Sequence, residues 1–280
     1  TAAVGNTLQI NEDSVDPDGG GTLSYSWQTS ADGNSDWNVV GTESAYTVTA
    51  GEEGKSIKAV ITYQDAQGFD ETVTTSIATI PFVNAGPGEF SIDGTAAVGN
   101  TLQINEDSVD PDGGGTLSYS WQTSADGNSD WNVVGTESAY TVTAGEEGKS
   151  IKAVITYQDA QGFDETVTTS IATIPFVNAG PGEFSIDGTA AVGNTLQINE
   201  DSVDPDGGGT LSYSWQTSAD GNSDWNVVGT ESAYTVTAGE EGKSIKAVIT
   251  YQDAQGFDET VTTSIATIPF VNAGPGEFSI

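Results

Sequence analysis

Apolar and polar residues alternate along this chain with a period of two. Leu23, Tyr25 and Trp27 alternate with Ser24, Ser26 and Gln28. Ile57, Ala59, Ile61 and Tyr63 alternate with Lys58, Val60 and Thr62. Such alternation marks half-buried strands, because successive strand side chains point to opposite faces. Shorter β-rich pieces are expected at Thr7–Asn11, Trp37–Val40, Ala45–Thr49, Glu71–Ala78 and Glu89–Asp93. Turn chemistry separates them: Val4-Gly5-Asn6, Asp16-Pro17-Asp18-Gly19, Ala31-Asp32-Gly33-Asn34, Gly41-Thr42, Ala50-Gly51-Glu52-Glu53-Gly54 and Asp65-Ala66-Gln67-Gly68. No segment carries a helical stripe.

The pattern repeats. One unit begins at Thr1, Thr95 and Thr189, identical letter for letter at an offset of 94, and the third copy lacks only the closing Asp-Gly. A period of 94 is too long for a solenoid unit of roughly 20–47 residues and suits an independent small domain. The expected organisation is beads on a string: residues 1–82 (first strand truncated), 83–176, 177–270, and 271–280 as linker and first strand of a following repeat, in an array that continues in both directions. Seven short strands per unit, with a turn every 8–12 residues or so, predict an all-β tandem array of immunoglobulin-like β-sandwiches, with Trp27 on the third strand as the core tryptophan. That core is thin. Leu, Ile, Val and Phe make up 19 of the 94 residues, near the roughly 20 % below which highly charged chains stay disordered.

Composition narrows the chemistry. The chain has 41 Asp+Glu against 6 Lys+Arg, a net charge of −35, and no Cys, His or Met. No disulfide, thiolate metal site or imidazole base is available. The negative field disfavours nucleic acid and anionic membranes and favours cations. No apolar run approaches the ~18 residues of a membrane-spanning helix. Catalysis has little support, because the carboxylates fall in expected turns or on polar edges; the chain reads as a non-enzyme.

The order Gly94-Thr95-Ala96-Ala97-Val98-Gly99-Asn100-Thr101-Leu102, an Asp-Pro-Asp-Gly loop, Leu-Ser-Tyr-Ser-Trp-Gln ending at Gln122, Ala139-Tyr140-Thr141-Val142, Glu147-Gly148-Lys149-Ser150-Ile151 and the run from Val154 to Gly162 resembles the tandem Ig-like or cadherin-like repeats of giant bacterial surface proteins, particularly RTX-type biofilm adhesins. The resemblance covers the whole unit. It implies secretion to the cell surface, an extended extracellular rod, and Ca2+ at or near bead junctions. One departure is in the linker: where such repeats carry an Asn-Asp-Asn-like segment, this chain has Val83-Asn84-Ala85-Gly86-Pro87-Gly88, with no acid.

Three loops are candidate cation sites. Ca2+ takes six to eight oxygens, which closely spaced carboxylates around a Gly turn supply. The first loop offers Asp13, Asp16 and Asp18; the second, the hairpin between the last two strands, offers Asp65 and Asp70; Asp93 of the linker strand is expected nearby. Their copies are Asp107, Asp110, Asp112, Asp159, Asp164 and Asp187, then Asp201, Asp204, Asp206, Asp253 and Asp258. The third loop, Asp32-Gly33-Asn34-Ser35-Asp36, has the spacing of an EF-hand start but Trp37 at position six, and reads as a turn. The functional expectation is a rod-like spacer that projects a distal binding domain, its partners being neighbouring repeats. One alternative is the repeat unit of a self-assembling filament of identical chains, in which Glu89–Asp93 completes a neighbour's sheet. A second is a multivalent glycan-binding array with Trp37 as its stacking platform.

Overall fold

In a computed structural model, which describes residues 1–277 and 279, the chain is almost entirely β. The strand expected for a following repeat over 271–280 lies partly outside the described residues, at Phe278 and Ile280. By contacts the chain divides into two compact units. One comprises Thr1–Ala96, Asn100–Val142 and Ser150–Thr173; the other comprises Ala97–Gly99, Thr143–Lys149 and Ile174–Ile280.

In the first unit, the first repeat forms β1 (Thr7–Gln9), β2 (Ser24–Ser30), β3 (Asn38–Gly41), β4 (Ala45–Thr47), β5 (Ser56–Gln64), β6 (Asp70–Thr74) and β7 (Ala78–Thr79). The second repeat opens with β8 (Glu89–Asp93) and β9 (Thr101–Ser108), followed by β10 (Ser118–Ser124), β11 (Asn132–Gly135), β12 (Ala139–Thr141), β13 (Ser150–Gln158), β14 (Asp164–Thr168) and β15 (Ala172–Thr173). Its three-stranded sheet runs β12-β9-β8, and its larger sheet runs β11-β10-β13-β14 with β15 also on β13. The second unit repeats this pattern from β16 (Glu183–Asp187) and β17 (Thr195–Ser202) to β23 (Ala266–Thr267). Three repeated pairs of antiparallel sheets with this strand order are immunoglobulin-like sandwiches.

The core follows from the alternation. In the second unit Trp215, Ile245, Ala247, Ile249 and Tyr251 from one sheet meet Phe184 and Leu196 from the other. The core tryptophan stands on the third strand, as the pattern predicts. Trp121 is fully buried, stacks on Tyr140 at 5.9 Å and donates its indole N–H to Glu137 O at 2.9 Å. The apolar faces are short, so polar side chains complete them. Thr169 donates its backbone N–H to Ala153 O at 3.0 Å and accepts the Ala153 N–H at 3.0 Å through its hydroxyl rather than its carbonyl, where the last strand breaks between β14 and β15.

Two expectations need correcting. The last strand is not continuous from Glu71 to Ala78, because it breaks after Thr74. The acidic stretch from Glu106 to Ser108 lies in β9 rather than in a loop; β8 pairs along it, Phe90 opposite Glu106 and Glu89 opposite Ser108. The first repeat shows why: without a strand in the place of β8, its β1 shortens to three residues.

Candidate metal centre

Strand parity and two turns build the site. Ile151, Ala153, Ile155 and Tyr157 point inward along β13, so Glu165, opposite Tyr157 on β14, also points inward. Between these strands Asp159 closes the hairpin. Its Oδ1 accepts the N–H groups of Gln161 and Phe163, each at 2.8 Å. The loop after β9 lies alongside, pinned by Ala160 N to Gly113 O at 3.0 Å. In that loop Asp110 Oδ1 accepts Asp112 N–H at 2.8 Å, and Asp110 Oδ2 accepts the Tyr157 hydroxyl at 2.9 Å. Gly115 permits the approach: a Cβ there would lie 1.9 Å from Gln158 O.

Asp110, Asp159 and Glu165 thereby meet, one oxygen of each within 4.8 Å of the others, at exposures of 4 %, 6 % and 6 %. Asp204, Asp253 and Glu259 meet in the same way in the second unit. Like charges at such spacing repel by roughly 3 kcal/mol per pair at an effective dielectric near 20. Two further facts point to a cation. Asp159 Oδ2 and Gln161 Oε1 are buried with no hydrogen-bond partner, as are Asp253 Oδ2 and Gln255 Oε1. Each of these atoms can only accept, and unpaired buried acceptors are costly. The lysines are engaged elsewhere: Lys149 Nζ donates to Gly145 O at 2.7 Å, and Lys152 Nζ stands 4.0 Å from the Trp131 ring centroid. An all-oxygen set of three carboxylates fits a hard cation, Ca2+ foremost.

The linker before β8 closes the site. Asn84 Nδ2 donates to Glu165 Oε1 at 2.6 Å, Ala85 N to Asp112 Oδ2 at 2.6 Å, and Gly88 N to the Tyr157 hydroxyl at 2.8 Å. Asn178, Ala179 and Gly182 do the same for Glu259, Asp206 and Tyr251. Burial, and then the Asp110 carboxylate, push the Tyr157 hydroxyl pKa upward against the opposing Gly88 N–H. Among the described residues, none donates to Glu71 or to the Tyr63 hydroxyl of the first repeat as Asn84 and Gly88 do to Glu165 and Tyr157. Asp16, Tyr63 and Glu71 are there only half-buried, while Asp65 stays buried at 7 %.

Of the expected ligands, the structure brings together Asp110 with Asp159 and Asp204 with Asp253, and it holds Asp16 near Asp65 through Tyr63 and the joined loops. Asp18, Asp112 and Asp206 border the site, each accepting a glutamine side-chain N–H. The others stand apart. Asp107 and Asp201 are exposed and accept bonds from Ser91 and Asn105, and from Ser185 and Asn199. Asp13 is exposed. Asp70, Asp164 and Asp258 are exposed partners of Gln64, Gln158 and Gln252, one residue out of phase with the inward glutamates. Asp93 and Asp187 close β8 and β16, opposite Gln103 and Gln197; four residues of strand, about 13 Å, separate Asp93 from Glu89. The member of the acidic cluster that sequence reasoning missed is Glu165, with Glu259 as its copy in the second unit. The signal was available, because it shares the parity of Tyr157.

The third loop is filled by its own turn. Asp126 accepts hydrogen bonds from Ser124 Oγ, Asn128 N, Ser129 N and Ser129 Oγ at 2.7–2.9 Å, which hold its carboxyl far below the usual range. The Trp37 face is covered by Lys58 Nζ, 4.0 Å from the ring centroid.

No family model and no curated protein matches the sequence. Solved structures similar to it include a Ca2+-stabilised adhesin with which an Antarctic bacterium binds ice, 15% identical over 91% of this chain and 68% of that one, TM-score 0.32. They also include a 1.5-MDa bacterial ice-binding adhesin, 13% identical over 96% and 95%, TM-score 0.32. A third is the D1–D4 ectodomain fragment of ICAM-5, 11% identical over 96% and 73%, TM-score 0.38. At these scores the likeness carries nothing about this chain's ligand or role.

Proposed function

We propose that the chain is a structural extender segment of a bacterial surface adhesin, an extracellular spacer whose repeats are locked together by Ca2+. The carrying observation is the linker seated on the carboxylates. Asn84, which follows the first repeat, closes a buried acidic cluster of the second. An ion held by Asp110, Asp159 and Glu165 offsets their repulsion, and the linker donors orient the cluster from outside. A cation bound only by the folded, closed form stabilises it by about 2.7 kcal/mol at a hundredfold excess over Kd. The absence of Cys and His, and the strongly negative surface, suit a spacer that does no chemistry and resists lateral association.

The test is calorimetric titration of the chelated chain with Ca2+, paired with small-angle scattering. The expected result is two tight sites per chain, a weaker open one in the first repeat, and a longer, narrower distance distribution with Ca2+. Absence of binding, or an unchanged distribution, overturns the reading.

A further inference from the structure

At the end of the sandwich away from Asp16 and Asp65, the first repeat opens into a polar cavity of about 470 Å³. That lies within the roughly 300–1,000 Å³ usual for small-ligand sites. Its walls are the ends of β2 and β3, the single helical turn Ala50–Glu52, and Lys55. Strand β5 runs nine residues between Lys55 and Asp65, about 30 Å, so the cavity is remote from the acidic end. Thr29 shares the inward phase of Tyr25 and Trp27, stands opposite Ile57 and is 3 % exposed. It lines the cavity, and among the described residues its hydroxyl has no hydrogen-bond partner. A buried hydroxyl left unpaired is costly, and a ligand that pairs with it removes that cost. Lys55, in the same lining, is half-buried, and its ammonium makes no ion pair or hydrogen bond among the described residues. Asn38 donates its Nδ2 to Asp36 O at 2.9 Å, which leaves its Oδ1 as an acceptor. Glu52 is buried and already paired. Its Oε2 accepts Thr49 N at 2.7 Å and Thr49 Oγ1 at 3.1 Å, and its Oε1 accepts the Tyr46 hydroxyl. The groups left for a ligand are an ammonium, a hydroxyl, an amide oxygen and the exposed Asp36 carboxylate.

Charge selects the ligand class. An anion meets Glu52 and Asp36 in a chain of net charge −35. A metal ion meets the Lys55 ammonium and finds no unpaired buried carboxylate. A neutral molecule with adjacent hydroxyls fits, because each hydroxyl both donates and accepts. It accepts from Lys55 or Thr29 and donates to Asn38 or Asp36. We infer that this cavity is a binding site for a small neutral saccharide, with Thr29 and Lys55 as the residues that fix it. The site is distinct from the Trp37 ring, which Lys58 covers. Its residues recur in every repeat, and in the third repeat Thr217 is buried to the same degree, at 2 %. Sites that are weak one by one gain by avidity when an array meets a polysaccharide. The inference does not depend on the acidic clusters, so sugar binding is independent of Ca2+.

Saturation-transfer NMR of the full chain with glucose, galactose, mannose and N-acetylglucosamine, each titrated through the millimolar range, tests this. The expected result is saturable binding of at least one of them, equal in chelator and in Ca2+. Thr29→Val, made together with Thr123→Val and Thr217→Val, keeps the side-chain shape and weakens binding about tenfold, the loss of one hydrogen bond to a buried group. Lys55→Met, with Lys149→Met and Lys243→Met, weakens it similarly. This second variant changes a half-buried side chain, so it decides the matter if the valine variant fails to fold. No binding of any of the four sugars, binding that the variants leave intact, binding abolished by chelator, or tighter binding of glycine or sulfate than of the sugars overturns the inference.

Discussion

Asn84 holds Glu165 of the second repeat through a 2.6 Å hydrogen bond, and two residues earlier the Phe82 ring lies where a Cβ on Gly54 of the first repeat would stand, 2.2 Å away. Val83 is therefore the only residue between an anchor on one repeat and an anchor on the next. A linker this short leaves few free dihedrals, and the anchors at its two ends differ in kind. One is an aromatic ring over a glycine; the other is a set of donors on a carboxylate cluster.

Replacing Asp159 and Asp253 by Asn separates charge from packing. Without Ca2+ the double variant is expected to melt at or above the parent temperature, because a repelling buried charge has been removed from each cluster. With Ca2+ the parent gains about 2.7 kcal/mol per site at a hundredfold excess, and the variant gains little. Scanning calorimetry in chelator and in millimolar Ca2+ reads both signs. A variant that keeps the full Ca2+ increment removes these residues from the ligand set.

Gly54→Ala tests the aromatic anchor. Gly54 has φ +71, and its Cβ would meet the Phe82 ring at 2.2 Å. The backbone alone costs an L-residue about 1–2 kcal/mol there. The expected outcome is a less stable first repeat and faster chymotryptic cleavage at Phe82, while cleavage at Phe176 is unchanged.

Alkaline titration has a defined sign. The hydroxyls of Tyr46 and Tyr234 are pushed up to about 12, first by burial and then by the carboxylates of Glu52 and Glu240. Their folded pKa lies above the unfolded value near 10, so the stability they contribute is complete below pH 10 and is lost as pH rises towards 12. Absorbance of tyrosinate and the melting temperature, followed together, are expected to show delayed ionisation that coincides with unfolding.

Trp121→Ala is expected to cost about 3–5 kcal/mol, the usual toll for a fully buried aromatic, and to leave the Glu137 carbonyl without its indole donor. Trp131→Ala, on a half-exposed ring under Lys152, is expected to cost about 1 kcal/mol or less. Denaturant unfolding of both variants ranks them, and equal losses would contradict the division between core and edge.

Strand parity made most of this fold legible. The alternation of Leu23, Tyr25 and Trp27 and of Ile57 through Tyr63 marks the two central strands, because each has one face in the core. Edge strands carry less signal, so the break after Thr74 was not visible; there a threonine hydroxyl replaces a backbone partner. The site was half legible. Asp110 and Asp159 lie in turns whose Gly and Pro content is plain, and the hairpin brings them together. Glu165 was passed over for its neighbour Asp164, although only the glutamate shares the inward phase of Tyr157. Asp107 looked like a loop acid because nothing local shows that β8 will extend β9. The part of Asn84 was hidden for a different reason. A linker without an acid reads as one without a metal role, yet its contribution is as donor to the carboxylates.

The short tether through Val83 has a mechanical consequence. When the chain is pulled from its ends, tension leaves the first repeat at Phe82 and enters the second at Asn84. Before it can shear the β8–β9 ladder it must strip Asn84, Ala85 and Gly88 from the acidic cluster. The bonds that meet the load first are thus the ones nearest the acidic cluster, so on the proposed cation binding the ionic composition of the surroundings would set the force at which the junction begins to yield.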